Sequence, residues 1–439
     1  MRSLIVFALP IFVSMLFQQF YNIADTAIVG NILGEKSLAA IGSVSSIFEF
    51  FFHLATGLCG GFGVVIARAF GSGDEDKLKR SVAGALTIGI TTVLILTGAS
   101  IFGLRPLLRL INIPGEIFEE AFSYIRIIAL FLAVTFAYNL VSGALRAIGN
   151  SILPLIFLIF SSLLNIILDY VFIVYLKAGV EGAAIATVIS QAVSAVLCIM
   201  YLFGKVRILV PKPAHFKADP ILYKELAGQG FAAALMSSLV SISSVILQSG
   251  INGLGTEIIA AHISSRKIFS LSAMPFVAMP IAVSVFISQN RGAGNGQRIL
   301  KAMRSAYAFF AAAAAVMSVI LWTSAPLLIR LISGSDNPVI ISNGSKLLYV
   351  LGPFLFVLGI INSTRSSLQG IGYKIIPVIS SIIELTGKVL FVIFLIPRFG
   401  YNAVIWCEPV IWVFMAAQLV YAWNTNDYIK EIRESEKFF

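Results

Sequence analysis

LIVFALPIFVSMLFQQFYNIADTAIVG, residues Leu4 to Gly30, carries a single charge, Asp25, in a run otherwise fit for hydrocarbon. A helix needs about 20 apolar residues to cross a bilayer. Comparable runs recur at 38–68, 81–104, 119–145, 151–176, 182–204, 226–252, 257–287, 302–325, 345–370, 375–396 and 402–424, making twelve in all. The 439-residue chain is 58% hydrophobic and 12% charged. Soluble chains hold about 25% charged residues, so this one lacks the polar surface of a soluble enzyme, a disordered chain or a nucleic-acid-binding domain. The pattern predicts an all-α polytopic membrane protein. The first run is too long for a signal-peptide core and has no small-residue cleavage site after it, so it is expected to stay as a span. Pro10, Pro275, Pro280 and Pro353 fall inside runs and are expected to kink them.

The charges orient the spans. With the N-terminus inside, 20 of the 31 Lys and Arg fall in inside segments, 7 in outside segments and 4 within spans. Positive loops mark the cytoplasmic side, so both termini are expected there, in a plasma or bacterial inner membrane. Cys59, Cys198 and Cys407 all lie in apolar runs, which argues against a disulfide framework or a metal site.

A Pro- and Lys-rich connection, with Pro211, Pro213 and Pro220, divides the runs six and six. The expected organisation is an N-terminal lobe (1–204), a cytoplasmic linker (205–225), a C-terminal lobe (226–424) and a cytoplasmic tail (425–439). The halves repeat one another. Gly34-Glu35-Lys36-Ser37-Leu38-Ala39-Ala40 matches Gly255-Thr256-Glu257-Ile258-Ile259-Ala260-Ala261 at an offset of 221. Gly71-Ser72-Gly73-Asp74 matches Gly292-Ala293-Gly294-Asn295 at the same offset, and Asn139 and Gly149 match Asn362 and Gly372 at 223. An even number of spans per repeat makes the repeats parallel, a transporter plan with its path in a central cleft between halves.

Five acids lie well inside runs: Asp25, Glu49, Asp169, Glu384 and Glu408. Each costs about 2.5–3.5 kcal/mol at bilayer depth on insertion scales, and such residues are functional by default. At 1.5 Å per residue, Asp25 lies about 30 Å along its helix from the inside end, in the outer half of the membrane. Asp169 reaches a similar layer from span five, Thr187 from span six and Tyr124 from span four. Asn165 and Asp169, four apart, share a helix face. Two carboxylates, an amide and hydroxyls in one layer can hold H⁺ or Na⁺. Neighbouring carboxylates resist ionising together, and hard oxygens suit Na⁺. The bland alternative is that the aspartates cap kinked helices or pair locally.

Other residues leave two readings open. Glu49 and His53, four apart, either relay protons or pair locally. Glu384 and Lys388 either neutralise each other or meet a drug. Glu408, before Pro409, either contacts a cationic substrate or answers a helix break. Arg266 and Lys267 either line the cleft or pair with Glu384. Met274, Phe276 and Met279, around Pro275 and Pro280, either face the substrate cleft or pack the core.

The whole chain resembles the multidrug and toxic compound extrusion (MATE) family. Tyr21-Asn22-Ile23-Ala24-Asp25-Thr26 with Gly30 is similar to its YN-x-x-D-T-x-x-x-G segment, Leu164-Asn165 with Asp169 to L-N-x-x-x-D, and Gly182-Ala183-Ala184 with Ala186-Thr187 to GAA-x-A-T. The resemblance implies a secondary antiporter exporting cationic or amphipathic drugs and toxic compounds in exchange for H⁺ or Na⁺. It also implies cation coupling through Asp25, Asn165, Asp169 and Thr187, with Tyr124 on a looser match. The branch with a second-lobe acid expects a carboxylate in span seven, where this chain has Ser241, Ser243, Ser244 and Gln248. The acidic site is therefore expected in the N-terminal lobe. The expected partners are a small-molecule substrate and membrane lipid, with the protein a monomer. No Walker, GxGxxG or HExxH pattern occurs, so neither ATP, nucleic acid nor a cofactor beyond the coupling ion is expected, and the protein is not expected to be an enzyme. The competing reading is a lipid or lipid-linked saccharide flippase of the same superfamily.

Overall fold

A computed structural model describes residues 2–217 and 219–437, with side chains through residue 435. The stretch 4–30 lies within one helix, α1 (Arg2–Leu33). After it come α2 (Glu35–Ser43), α3 (Ser45–Gly71), α4 (Glu75–Leu110), α5 (Gly115–Leu130), α6 (Leu132–Ala147), α7 (Ile152–Tyr170) and α8 (Gly179–Lys205). The second half holds α9 (Pro220–Asn252), α10 (Thr256–Ala273), α11 (Pro275–Gly292), α12 (Gly296–Ser333), α13 (Pro338–Gly370), α14 (Ile375–Leu390), α15 (Ile396–Phe399), α16 (Tyr401–Thr425) and α17 (Asp427–Lys437). Among the described residues there is no strand. Eleven helical stretches are long and apolar enough to cross a bilayer, and the bent pair α5–α6 makes twelve. Residue 218 of the expected linker and residues 438 and 439 of the expected tail lie outside the described residues.

The repeat read from the sequence is visible in the backbone. Gly34 and Gly255 enter their helices at φ of 87° and 96°, and Gly73 and Gly294 turn at 73° and 70°. Glycine is the residue that adopts this left-handed region without a Cβ penalty. After Gly73, Asp74 caps α4 by accepting from the Lys77 backbone N–H (2.9 Å), with Glu75 and Asp76 in the first turn where the helix dipole favours anions. Five-residue π-helical turns follow α7 (Val171–Tyr175) and α14 (Phe391–Leu395) at equivalent places.

Two compact units form, Leu9–Ala234 and Met1–Ala8 with Leu235–Phe439. The division therefore falls inside α9, beyond the linker expected at 205–225. Backbone packing within the first unit accounts for this. A Cβ added to Gly57 would lie 2.7 Å from Ala234 Cα, and one added to Gly61 2.3 Å from the Gln229 carbonyl oxygen. Gly57 and Gly61, four apart on α3, thus let the start of α9 lie directly on the α3 backbone, the small-residue contact common in membrane bundles. The linker itself is structured. Short 3₁₀ turns form at Arg207–Leu209 and Pro213–Phe216. His215 Nδ1 accepts from the Lys212 backbone N–H (2.7 Å), and its Nε2 faces Asp76 on α4 (3.3 Å).

The prolines fall at different places in their helices. Pro275 opens α11, one residue after the break at Met274. Pro10, Pro280 and Pro353 sit inside continuous helices. A proline leaves the carbonyl four residues earlier without its donor, and in two cases a side chain replaces it. Asn362 Nδ2 donates to the Phe276 carbonyl freed by Pro280 (3.1 Å). Trp322 Nε1 donates to the Tyr349 carbonyl freed by Pro353 (2.9 Å). The bent span, at 46°, breaks at Phe131, where there is no proline.

The α3–α9 contact makes a sharp prediction. Gly61→Val should destabilise the protein in detergent by about 1–3 kcal/mol or more, because the obstructing atoms are backbone and cannot rotate away. Gly60→Ala, whose added Cβ meets nothing within 4 Å, should leave the thermal midpoint close to that of the parent. Equal loss from both would show that the close approach does not matter.

Candidate functional site

Within the first unit, α7 packs against α8, and α5 and α6 also pack on α8. The expected site residues meet there. Asp169, Asn165, Thr187 and Tyr124 are 0%, 1%, 5% and 7% exposed, and Asp25 is half-buried. With its amide turned so that both ends find partners, Asn165 Nδ2 donates to Asp169 Oδ2 (3.1 Å) and its Oδ1 accepts from the Thr187 backbone N–H (3.2 Å). Asn165 therefore ties α7 to α8 and orients the Asp169 carboxylate. The carboxyls of Asp25 and Asp169 face each other within hydrogen-bonding reach, and the Tyr21 and Tyr124 phenols lie beside them.

One oxygen of each acid, Asp25 Oδ1 and Asp169 Oδ1, is buried without a hydrogen-bond donor among the described residues. Buried polar oxygens are normally bonded. Two such acceptors have the chemistry to take a proton or a small hard cation, and the oxygens around them fit either.

Tyr21, part of the span-one motif, joins the expected site residues. Its phenol meets the Thr187 side chain. A polar cavity of about 60 Å³ adjoins Asn165, lined by Gln18, Tyr21, Ser161, Ser162, Ser190 and Gln191 among others. Helical spacing alone could have found several of these. Ser161 is four residues before Asn165, Ser190 three after Thr187 and Gln18 three before Tyr21, so each shares a face with a site residue.

Glu49 and His53, open by sequence to a relay or a local pair, make neither contact directly with each other among the described residues. Glu49 is exposed and His53 half-buried. His53 instead sets its ring edge-on to Phe52 at 5.8 Å.

The second unit resolves the remaining charges as a buried network. Lys388 Nζ donates to Glu384 Oε1 (3.0 Å) and Ser243 Oγ (3.2 Å) and lies 3.7 Å from Glu408 Oε1. Arg266 donates to Glu408 Oε2 (2.6 Å). The arginine thus pairs with Glu408 rather than Glu384, while Lys267 is exposed. Glu408, a possible substrate contact by sequence, is held by two cations. By the repeat offsets, Lys388 stands where the first unit has Asn165 (223) and Glu408 where it has Thr187 (221). Met274, Phe276 and Met279, the expected cleft residues, are 4%, 0% and 1% exposed, and Phe276 stacks on Phe310 at 5.6 Å. They occupy the packed interior of this unit, where α11 packs against α12 and α13.

Lys388→Met should destabilise the protein by about 3–5 kcal/mol, the penalty for stranding a buried partner charge. Adding Glu384→Leu should restore most of that loss. Thermal unfolding in detergent reads both, and a double variant no more stable than the single would refute the network's energetics.

The comparisons with known proteins agree with the repeated helical fold. The MatE family model matches residues 10–171 and again 232–394, once in each repeat. The Bacillus subtilis strain 168 protein named probable multidrug resistance protein YpnP is 27% identical over 377 residues, covering 84% of each chain. Probable multidrug resistance protein YoeA of the same strain is 30% identical over 314 residues, covering 69% of this chain and 67% of its own. A crystal structure of MATE in complex with MaL6 superposes with a TM-score of 0.89 at 23% identity, covering 98% of this chain and 97% of that one. With a family model spanning most of its length in two copies, the chain belongs to the MatE family.

Proposed function

We propose that the protein is a secondary antiporter, with both termini cytoplasmic, that exports cationic or amphipathic drugs and toxic compounds in exchange for H⁺ or Na⁺. The efflux reading is supported by the names of its relatives, among them probable multidrug resistance protein YpnP and the Staphylococcus saprophyticus multidrug export protein MepA, 25% identical over 417 residues. The observation that carries the coupling is that Asp25 Oδ1 and Asp169 Oδ1, on two carboxyls that face each other in the first unit, are both buried without a donor among the described residues.

One cation, a proton or a sodium ion, binds between these carboxylates. Asn165 holds Asp169 in place, and the hydroxyls of Thr187, Tyr21 and Tyr124 complete the polar wall. The cavity beside Asn165 supplies amides and hydroxyls along which the ion enters or leaves. Bound cation removes the repulsion between the two acids, so it favours a state in which they close together. Its departure favours the state in which they separate. An ion shifts a conformational equilibrium only by its differential affinity for the two states, and this pair provides such a difference. The exported compound, bound in the alternate state, moves outward as the ion moves inward.

Export of ethidium into the lumen of energised everted vesicles, which corresponds to the cell exterior, tests this. Asp25→Asn and Asp169→Asn should each lower gradient-driven efflux about 5–150-fold, the range of a lost coupling free energy, with protein levels unchanged. Collapsing the pH gradient and the sodium gradient separately identifies the ion. Full efflux in both variants would remove these residues from coupling.

A further inference from the structure

At one end of the second unit, the beginnings of α1 and α12 and the end of α11 enclose a half-open cavity of about 330 Å³. Its wall includes Ser3 and Leu4 of α1, Phe286 of α11, and Arg298, Lys301 and Ser305 of α12. We propose that this cavity binds the phosphate headgroup of an anionic membrane lipid.

The wall offers donors and no carboxylate. Arg298 and Lys301 are exposed, and neither meets an acidic side chain among the described residues. The Arg298 guanidinium is held 5.3 Å from the Phe286 ring centroid, which fixes its fork at the cavity wall while leaving its N–H groups free. The hydroxyls of Ser3 and Ser305 add two further donors. Two cations and two hydroxyls around a space of this size match a phosphodiester. They do not match a cationic drug, which the same charges repel.

Depth and apolar surface favour a lipid over a soluble phosphate. The cavity sits where α1 and α12 begin their apolar runs, the level of headgroups rather than of acyl chains. From Ser3 and Leu4, α1 continues through Ile5 and Val6, which are 40% and 62% exposed and apolar, so a glycerol backbone anchored in the cavity finds a track for its chains. Basic pockets between spanning helices are known headgroup sites on the cytoplasmic side. The assignment to the cytoplasmic leaflet rests on the proposed orientation. The headgroup chemistry does not, so reversed termini would move the site to the other leaflet without abolishing binding.

Thermal unfolding of the purified full chain in mixed micelles tests the proposal, with phosphatidylglycerol, phosphatidylcholine and inorganic phosphate as separate additives. Phosphatidylglycerol should raise the midpoint, and the other two should not. Arg298→Gln with Lys301→Gln should raise the phosphatidylglycerol level needed for half the effect about 30-fold, taking each basic group as one anionic-surface contact. Ser3→Trp, which blocks the cavity without changing charge, should weaken the response too. Lys36→Gln with Lys346→Gln, the same change in net charge at exposed positions elsewhere, should leave it unchanged. An undiminished response in the Arg298/Lys301 variant or in Ser3→Trp would overturn the site. An equal response to phosphatidylcholine would overturn the headgroup specificity, and saturation by inorganic phosphate alone would overturn the lipid.

Discussion

No water in the hydrocarbon layer is available to solvate a stray polar group, and nearly every local feature of this protein answers to that constraint. Many serines and threonines of the spans turn back on their own helices, and others, such as Thr97, Thr135 and Ser194, bond a neighbouring helix. Ser100, Thr26 and Ser318 each donate to the carbonyl four residues earlier. Where proline removes a backbone donor, Asn362 and Trp322 supply one from another helix. Charged groups are gathered rather than scattered: the second unit's buried charges form one connected network. Some buried side-chain polar atoms still lack a hydrogen bond among the described residues, and of these Asp25 Oδ1 and Asp169 Oδ1 are the ones that belong to carboxylates.

The same six-span plan, used twice, has been furnished in two ways. In the first unit the corner between α7 and α8 is built from an amide and a hydroxyl, and its acids face each other. In the second unit the corner between α14 and α16 is built from an ammonium and a carboxylate, and the additional acid, Glu384, lies one turn before Lys388, on the opposite side from the position Asp169 takes relative to Asn165. Both corners are followed by a π-helical turn. Such turns reposition side chains at the cost of regular hydrogen bonding. Their presence in both units shows that the backbone was retained while the side-chain chemistry diverged.

Much of this was legible before any coordinates. Hydropathy located twelve spans because hydrocarbon thickness admits few alternatives, and a fixed offset of 221–223 exposed the repeat because turn glycines tolerate little drift. The convergence of Asp25, Tyr124, Asn165, Asp169 and Thr187 followed from counting depth along helices. What could not be read depends on contacts between distant segments. The start of α9 belongs with α3 because Gly57 and Gly61 admit its backbone, and nothing in residues 220–234 alone announces that. Arg266 chose Glu408 over Glu384 through helix packing, at a separation of 142 residues. Span four bends at Phe131, where there is no proline, whereas its counterpart in the second repeat, α13, carries Pro353 within one helix, with a tryptophan meeting the carbonyl that the proline frees.

Lys388 gives the two units different relations to the surrounding solution. An ammonium on a four-carbon stem is a counter-ion that never diffuses away. Its effective concentration at Glu384 and Glu408 is set by bond lengths, not by the composition of the medium. Mass action, which governs any ion that must arrive from outside, therefore has no purchase on that pair. The open oxygens of the first unit have no such tether, so under the proposed coupling their occupancy would follow the activity of the cation in the surrounding water. One half of the molecule carries its own salt; the other carries carboxylates without a built-in counter-ion.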